Sequence, residues 1–132
     1  MTRAMLRIDK SSERAVHELL KSGAESRIYI FLLRKNGARS EEIIKGTKLH
    51  PSTVRESLSK MYSQQLIYRE KLKNDSIGKN PYFYRAVSPV KLLQKKAKEL
   101  EDKLNRIANL TKKNDGESKY VRIQFYKGGE NI

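Results

Sequence analysis

Apolar residues recur at helical spacing through the first half of the chain and in alternation along short later stretches. Ala15, Val16, Leu19 and Leu20 lie at i, i+1, i+4 and i+5, which predicts one buried stripe of a short helix over 11–22. Ser11 or Ser12 is its expected N-cap and Gly23 its expected stop. A second helix is predicted over 25–36, with Ile28, Phe31, Leu32 and Lys35 on successive turns and Gly37 as terminator. Ser40 is the expected cap of a short third helix. Glu41 and Glu42 give its first turn the charge that the helix dipole favours, and Ile43 and Ile44 are its buried positions. It stops at Gly46-Thr47-Lys48, with Leu49 as an apolar plug. His50-Pro51 opens a fourth helix, since proline loses nothing at the first helical position. Val54, Leu58 and Met61 form its inner face, and Leu66 and Ile67 close the unit.

The period then changes. Residues 67–72 alternate, 73–80 (KNDSIGKN) are dense in turn formers, and 81–87 (PYFYRAV) form a second aromatic, β-branched strand. The pair reads as a hairpin of wing type, although an ordinary surface hairpin carries the same pattern. From Ser88-Pro89 a helix of about 24 residues runs to Lys112 or Lys113. Its Leu93, Ala97, Leu100, Leu104, Ile107 and Thr111 are spaced 4, 3, 4, 3, 4, the seam of a coiled coil with charged flanks such as Lys96, Glu99, Glu101 and Lys103. Packing on its own domain is one outcome. Pairing with a second copy is favoured, because the stripe outruns what so small a domain covers. In the tail, Val121, Ile123 and Phe125 alternate with polar residues, as in a half-buried strand. The expected organisation is an arm and short helix over 1–23, a DNA-binding domain over 24–87, a coiled-coil helix over 88–113 and a tail over 114–132.

Helix, short helix, tight turn, helix, hairpin is the order of a winged helix-turn-helix. The expected fold class is therefore mainly α with a small β-hairpin wing, followed by a long C-terminal coiled-coil helix. Composition agrees with a small core or a shared one: 37% of the residues are apolar and 33% charged. No stretch has the length and apolarity of a membrane span, and the N-terminus lacks the apolar run of a secretory signal. Without cysteine, the chain has no disulfide, zinc-finger or thiol chemistry. A cytoplasmic location is expected.

Charge narrows the partner without choosing it. A net charge of +14 points to a polyanion, and the excess sits on the reading unit and the long helices. Between 51 and 86, Arg55, Lys60, Arg69, Lys71, Lys73, Lys79 and Arg85 face only Glu56, Glu70 and Asp75. The two-helix unit holds its second helix proud of the domain, where it can enter a major groove. The expected readers of double-stranded DNA are its outward residues Ser52, Thr53, Arg55, Glu56, Ser59 and Lys60, with Lys71, Lys73 and Lys79 of the wing on the backbone. The expected homodimer interface is Leu93, Ala97, Leu100, Leu104 and Ile107. Catalysis finds no support. His17 and His50 are the only histidines and lack metal-ligand spacing, Glu41-Glu42 is a helix start, and Gly128-Gly129 is too short to cradle a phosphate. No metal or cofactor is expected. A non-specific nucleoid-architectural or RNA-binding protein shares the charge, and a protein-docking module shares the fold.

The segment KLHPSTVRESLSKMYSQQLIYRE resembles the recognition segment of archaeal and bacterial winged-helix regulators of the TrmB-like and MarR-like type. There a short turn precedes a Ser/Thr-Val start, a Leu four residues on, and a Leu-Ile/Val entry to the wing. GKNPYFYRAVSPVKLL is similar to the TrmB-like wing exit, an aromatic strand running into a Pro-led helix. The resemblance spans about 23–110 and implies a dimeric regulator of palindromic promoter DNA. Two departures stand out. Gln65 occupies a position where such families usually have glycine. TrmB-like proteins also continue into a large sugar-sensing domain, whereas this sequence ends at Ile132 after IQFYKGGENI, which looks like the strand leading into that domain. A stand-alone relative and a fragment both fit, no sugar site is carried over, and the effector, if any, stays unknown.

Overall fold

Asp9, rather than Ser11 or Ser12, caps the first helix. In the computed structural model, which describes residues 6–72, 81–111 and 120–128, α1 spans Lys10–Leu20 and the Asp9 carboxylate accepts from the Ser12 N–H at 2.8 Å. That bond holds the Asp9 carboxyl below its ordinary range. Lys21 ends the helix in the left-handed region (φ 60°), so Gly23 is not the stop. Gly23 instead opens α2 (Gly23–Lys35), whose N-cap Ser22 accepts from the Glu25 N–H. Asn36 (φ 58°) and Gly37 (φ 108°) close α2, with the Gly37 N–H bonded to the Leu32 carbonyl in a Schellman-like turn.

Next comes β1 (Ala38–Arg39), a two-residue strand that periodicity does not reveal. It leads directly into α3 (Ser40–Thr47). Ser40, the expected cap, is the first helical residue and buried. The capping bond runs from the Arg39 N–H to the Glu42 carboxylate at 2.9 Å. Ile43 is fully buried, Ile44 only in part. Gly46 lies inside α3, not in a turn: a β-carbon there would overlap the Phe31 ring of α2. The turn is Lys48-Leu49-His50, and Lys48 supplies its left-handed residue (φ 61°).

The fourth helix, α4 (Pro51–Ser63), buries Val54, Leu58 and Met61 as the spacing predicts. Strands β2 (Ile67–Lys71) and β3 (Tyr82–Ala86) pair antiparallel, from Ile67↔Ala86 to Lys71↔Tyr82. With β1 they make a three-stranded sheet in the order β1-β3-β2. The fold is thus mostly helical with a small antiparallel sheet, a winged helix. Ile28, Tyr29, Leu32, Ile43, Val54, Met61 and Leu66 form its core. Tyr29 donates its hydroxyl to the Val87 carbonyl at 2.7 Å, tying α2 to the end of the wing.

The chain divides into two compact units, Met1–Ser88 and Pro89–Ile132. The second is built on α5 (Pro89–Ala108), which gives way to a turn over 109–111 rather than continuing as helix to Lys112 or Lys113. Lys95–Glu99 and Lys98–Asp102 pairs line its solvent side. No strand forms over 120–128, contrary to the alternation. The backbone there bonds to helix side chains instead of a ladder. Asn105 donates to the Val121 carbonyl and accepts from the Val121 N–H, while Glu101 accepts from the Ile123 N–H at 2.9 Å. The half-buried Val121 and Ile123 follow from that attachment to α5.

Candidate nucleic-acid interface

Three local devices set the presentation of α4. Thr47 donates its hydroxyl to the Ile43 carbonyl at 2.7 Å and accepts from the Leu49 N–H at 3.3 Å, which fixes the turn. Arg27 of α2 donates to the Thr47 carbonyl at 2.7 Å, so the turn is also anchored to the helix behind it. His50 is the N-cap: its Nδ1 accepts from the Ser52 N–H at 3.2 Å and lies 2.8 Å from the Ser52 hydroxyl. With Val54, Leu58 and Met61 locked in the core, the opposite side of α4 is held outward.

The predicted readers fall on that outward side to different degrees. Arg55, Glu56 and Ser59 are exposed, and among the described residues none of the three side chains has a hydrogen bond or ion pair. Ser52 is exposed, but its hydroxyl is engaged with His50. Thr53 is half-buried. The Lys60 ammonium lies 3.9 Å from the Glu25 carboxylate, which is only 6% exposed, so Lys60 also neutralises a buried acid of α2. Lys71 is exposed at the end of β2, while Lys73 and Lys79 lie outside the described residues.

One feature escapes periodicity altogether. The Arg69 guanidinium of β2 sits 4.0 Å from the centre of the Tyr62 ring and 4.2 Å from that of Tyr82. An arginine against two aromatic rings is a recognisable cation–π geometry, yet its partners lie seven residues before and thirteen after it in the sequence. The α4–β2 junction and the β2–β3 register together bring them into contact.

Among the described residues, no group of three or more His, Asp or Glu side chains is placed to hold a metal ion, and no helix is long and apolar enough to cross a membrane. Cysteine is absent.

No curated protein matches the chain. Among solved structures, it is similar to a possible transcriptional regulator from Methanosarcina mazei Go1, with a TM-score of 0.64 over 86% of this chain and 99% of that one. At 19% identity, that likeness shows the shared fold. Residues 22–90 match the family model of the sugar-specific transcriptional regulator TrmB. The match runs from the N-cap of α2 through the wing to the start of α5 and covers more than half of the chain, which therefore belongs to the TrmB family of transcriptional regulators.

Proposed function

We propose that the chain binds double-stranded DNA sequence-specifically, as a homodimer, with α4 in the major groove. The observation that carries this reading is the division of α4 into a side locked in the core and a side on which the side chains of Arg55, Glu56 and Ser59 stand exposed without partners among the described residues. An exposed arginine on such a helix suits the paired acceptors of a guanine edge. The +14 charge supplies the sequence-independent attraction that brings any duplex to that surface.

Dimerisation rests on α5. Leu93, Leu100 and Ile107 are 45%, 49% and 63% exposed at coiled-coil spacing, with Ala97 and Leu104 half-buried between them. A helix with so much wet apolar surface gains most by pairing its seam with a second copy. Two-fold pairing would present two α4 helices to one palindrome.

The test is paired: affinity for a site selected from random duplexes and for unselected duplex, at one salt concentration, for wild type and Arg55→Ala. The variant is expected to lose about 1–3 kcal/mol on the selected site, with relaxed preference at one base pair per half-site, and much less on unselected DNA. Equal losses on both would make Arg55 a phosphate contact and favour an architectural, non-specific role.

A further inference from the structure

Tyr62 belongs to the same outward stripe of α4 as the proposed readers, being three, seven and ten residues on from Ser59, Arg55 and Ser52. It is 42% exposed, and the Arg69 guanidinium lies on its ring. The same guanidinium also lies against the Tyr82 ring of β3. The stack therefore stands where the reading side of α4 passes into the base of the wing.

The chemistry of the stack is that of a cation fixed in orientation but not in charge. A guanidinium held against aromatic rings keeps its in-plane N–H groups for hydrogen bonding, and those match the oxygens of a phosphate in bidentate geometry. Among the described residues no acid pairs with the Arg69 guanidinium and no acceptor takes a hydrogen bond from it. The adjacent acid, Glu70, points to the opposite side of the sheet, where it pairs with Arg85 at 3.3 Å. A merely structural arginine in a protein surface would be expected to use those donors. This one keeps them.

When a recognition helix fills a major groove and the following hairpin reaches the next minor groove, one sugar–phosphate strand runs between them. We propose that Arg69, clamped against Tyr62 and Tyr82, is a pre-oriented phosphate contact for that strand. The inference rests on the DNA-binding reading above and adds to it a residue whose contribution is independent of base sequence.

The experiment measures anisotropy of the full chain on a selected duplex and on an unselected one, across about 50–200 mM salt, with Arg69→Gln, Arg69→Lys and Tyr62→Leu. Arg69→Gln should weaken binding to both duplexes alike, by roughly tenfold, and should reduce the slope of log affinity against log salt by about 0.9. Arg69→Lys should keep the slope and lose part of the affinity. Tyr62→Leu leaves the charge but frees the side chain, and should cost roughly two- to fivefold at constant slope. It also serves if Arg69→Gln fails to fold, because unchanged affinity in Tyr62→Leu would remove the clamp. An Arg69→Gln protein that melts earlier but keeps the wild-type slope would make the stack a wing anchor and overturn the proposal. A loss confined to the selected duplex would overturn it too, by making Arg69 a base reader. If wild type bound neither duplex, the DNA-binding reading itself would fall, and that outcome is visible before any variant is made.

Discussion

The two units of this chain treat their apolar residues in opposite ways. In Met1–Ser88, Ile28, Tyr29, Leu32, Ile43, Val54, Met61 and Leu66 are each at most 1% exposed. In Pro89–Ile132, Leu92 is the one buried residue of α5, while Leu93, Leu100, Ile107, Leu110, Tyr120 and Tyr126 stand between 45% and 79% exposed. Among the described residues, the first unit encloses its core, while the apolar stripe of α5 stands largely exposed. The difference separates two tasks. Under the proposed function, the closed core would hold α4 rigidly enough to present side chains to a groove, and the open stripe would set how many such helices act together.

The largest effect should come from the open stripe. Leu100→Glu with Leu104→Glu should give monomers in sedimentation, and affinity for a palindromic site should fall by roughly 10²–10⁴ as two linked contacts become one. Melting of the first unit should be unchanged. A variant with the wild-type mass would move the interface away from α5. A smaller effect probes the closed core. Burial pushes the Tyr29 phenol up to about 12, so the folded chain holds this proton after the unfolded chain, near 10, has released it. Stability should therefore decline as pH rises from 10 to 12, by about 2–3 kcal/mol more in wild type than in Tyr29→Phe. Parallel pH profiles for the two proteins would show that Tyr29 is not held neutral by the core. The smallest effect lies where α4 turns into β2. Gln65 adopts φ 62°, a left-handed backbone that costs a side chain about 1–2 kcal/mol. Part of that gain is offset by the freer unfolded state of glycine, so Gln65→Gly should raise stability by about 0.5–1 kcal/mol in denaturant titration. A lower midpoint would mean that the Gln65 side chain holds the junction in some other way.

The winged helix was legible because its signals are local. Stripes of period 3.6, Pro51 behind a capping residue, and a polar tip between two alternating runs each specify an element from its own residues. Gln65 was legible as a departure, and the structure shows its physical content in a positive φ. Local signals also misled at boundaries. Gly23 reads as a stop, but Lys21 takes the left-handed position two residues earlier and Ser22 caps the next helix. Gly46 reads as a turn residue, whereas its missing side chain makes room for Phe31. Features that depend on distant partners were not legible. β1 is two residues long and exists because Ala38 and Arg39 meet β3. The tail alternates like a strand, yet Asn105 and Glu101 of α5 take its backbone bonds. The Tyr62–Arg69–Tyr82 stack needs the α4–β2 junction and the β2–β3 register before any of its members touch.

The proposed contrast between a self-sufficient DNA-reading unit and a pairing helix is tested most directly by selecting bound fragments from random duplex DNA at physiological salt. The account predicts enrichment of a two-fold symmetric site, with half-sites about 10–10.5 base pairs apart or a small multiple of that. Enrichment of a single asymmetric half-site would contradict the pairing role of α5, and no enrichment at all would contradict sequence reading by α4.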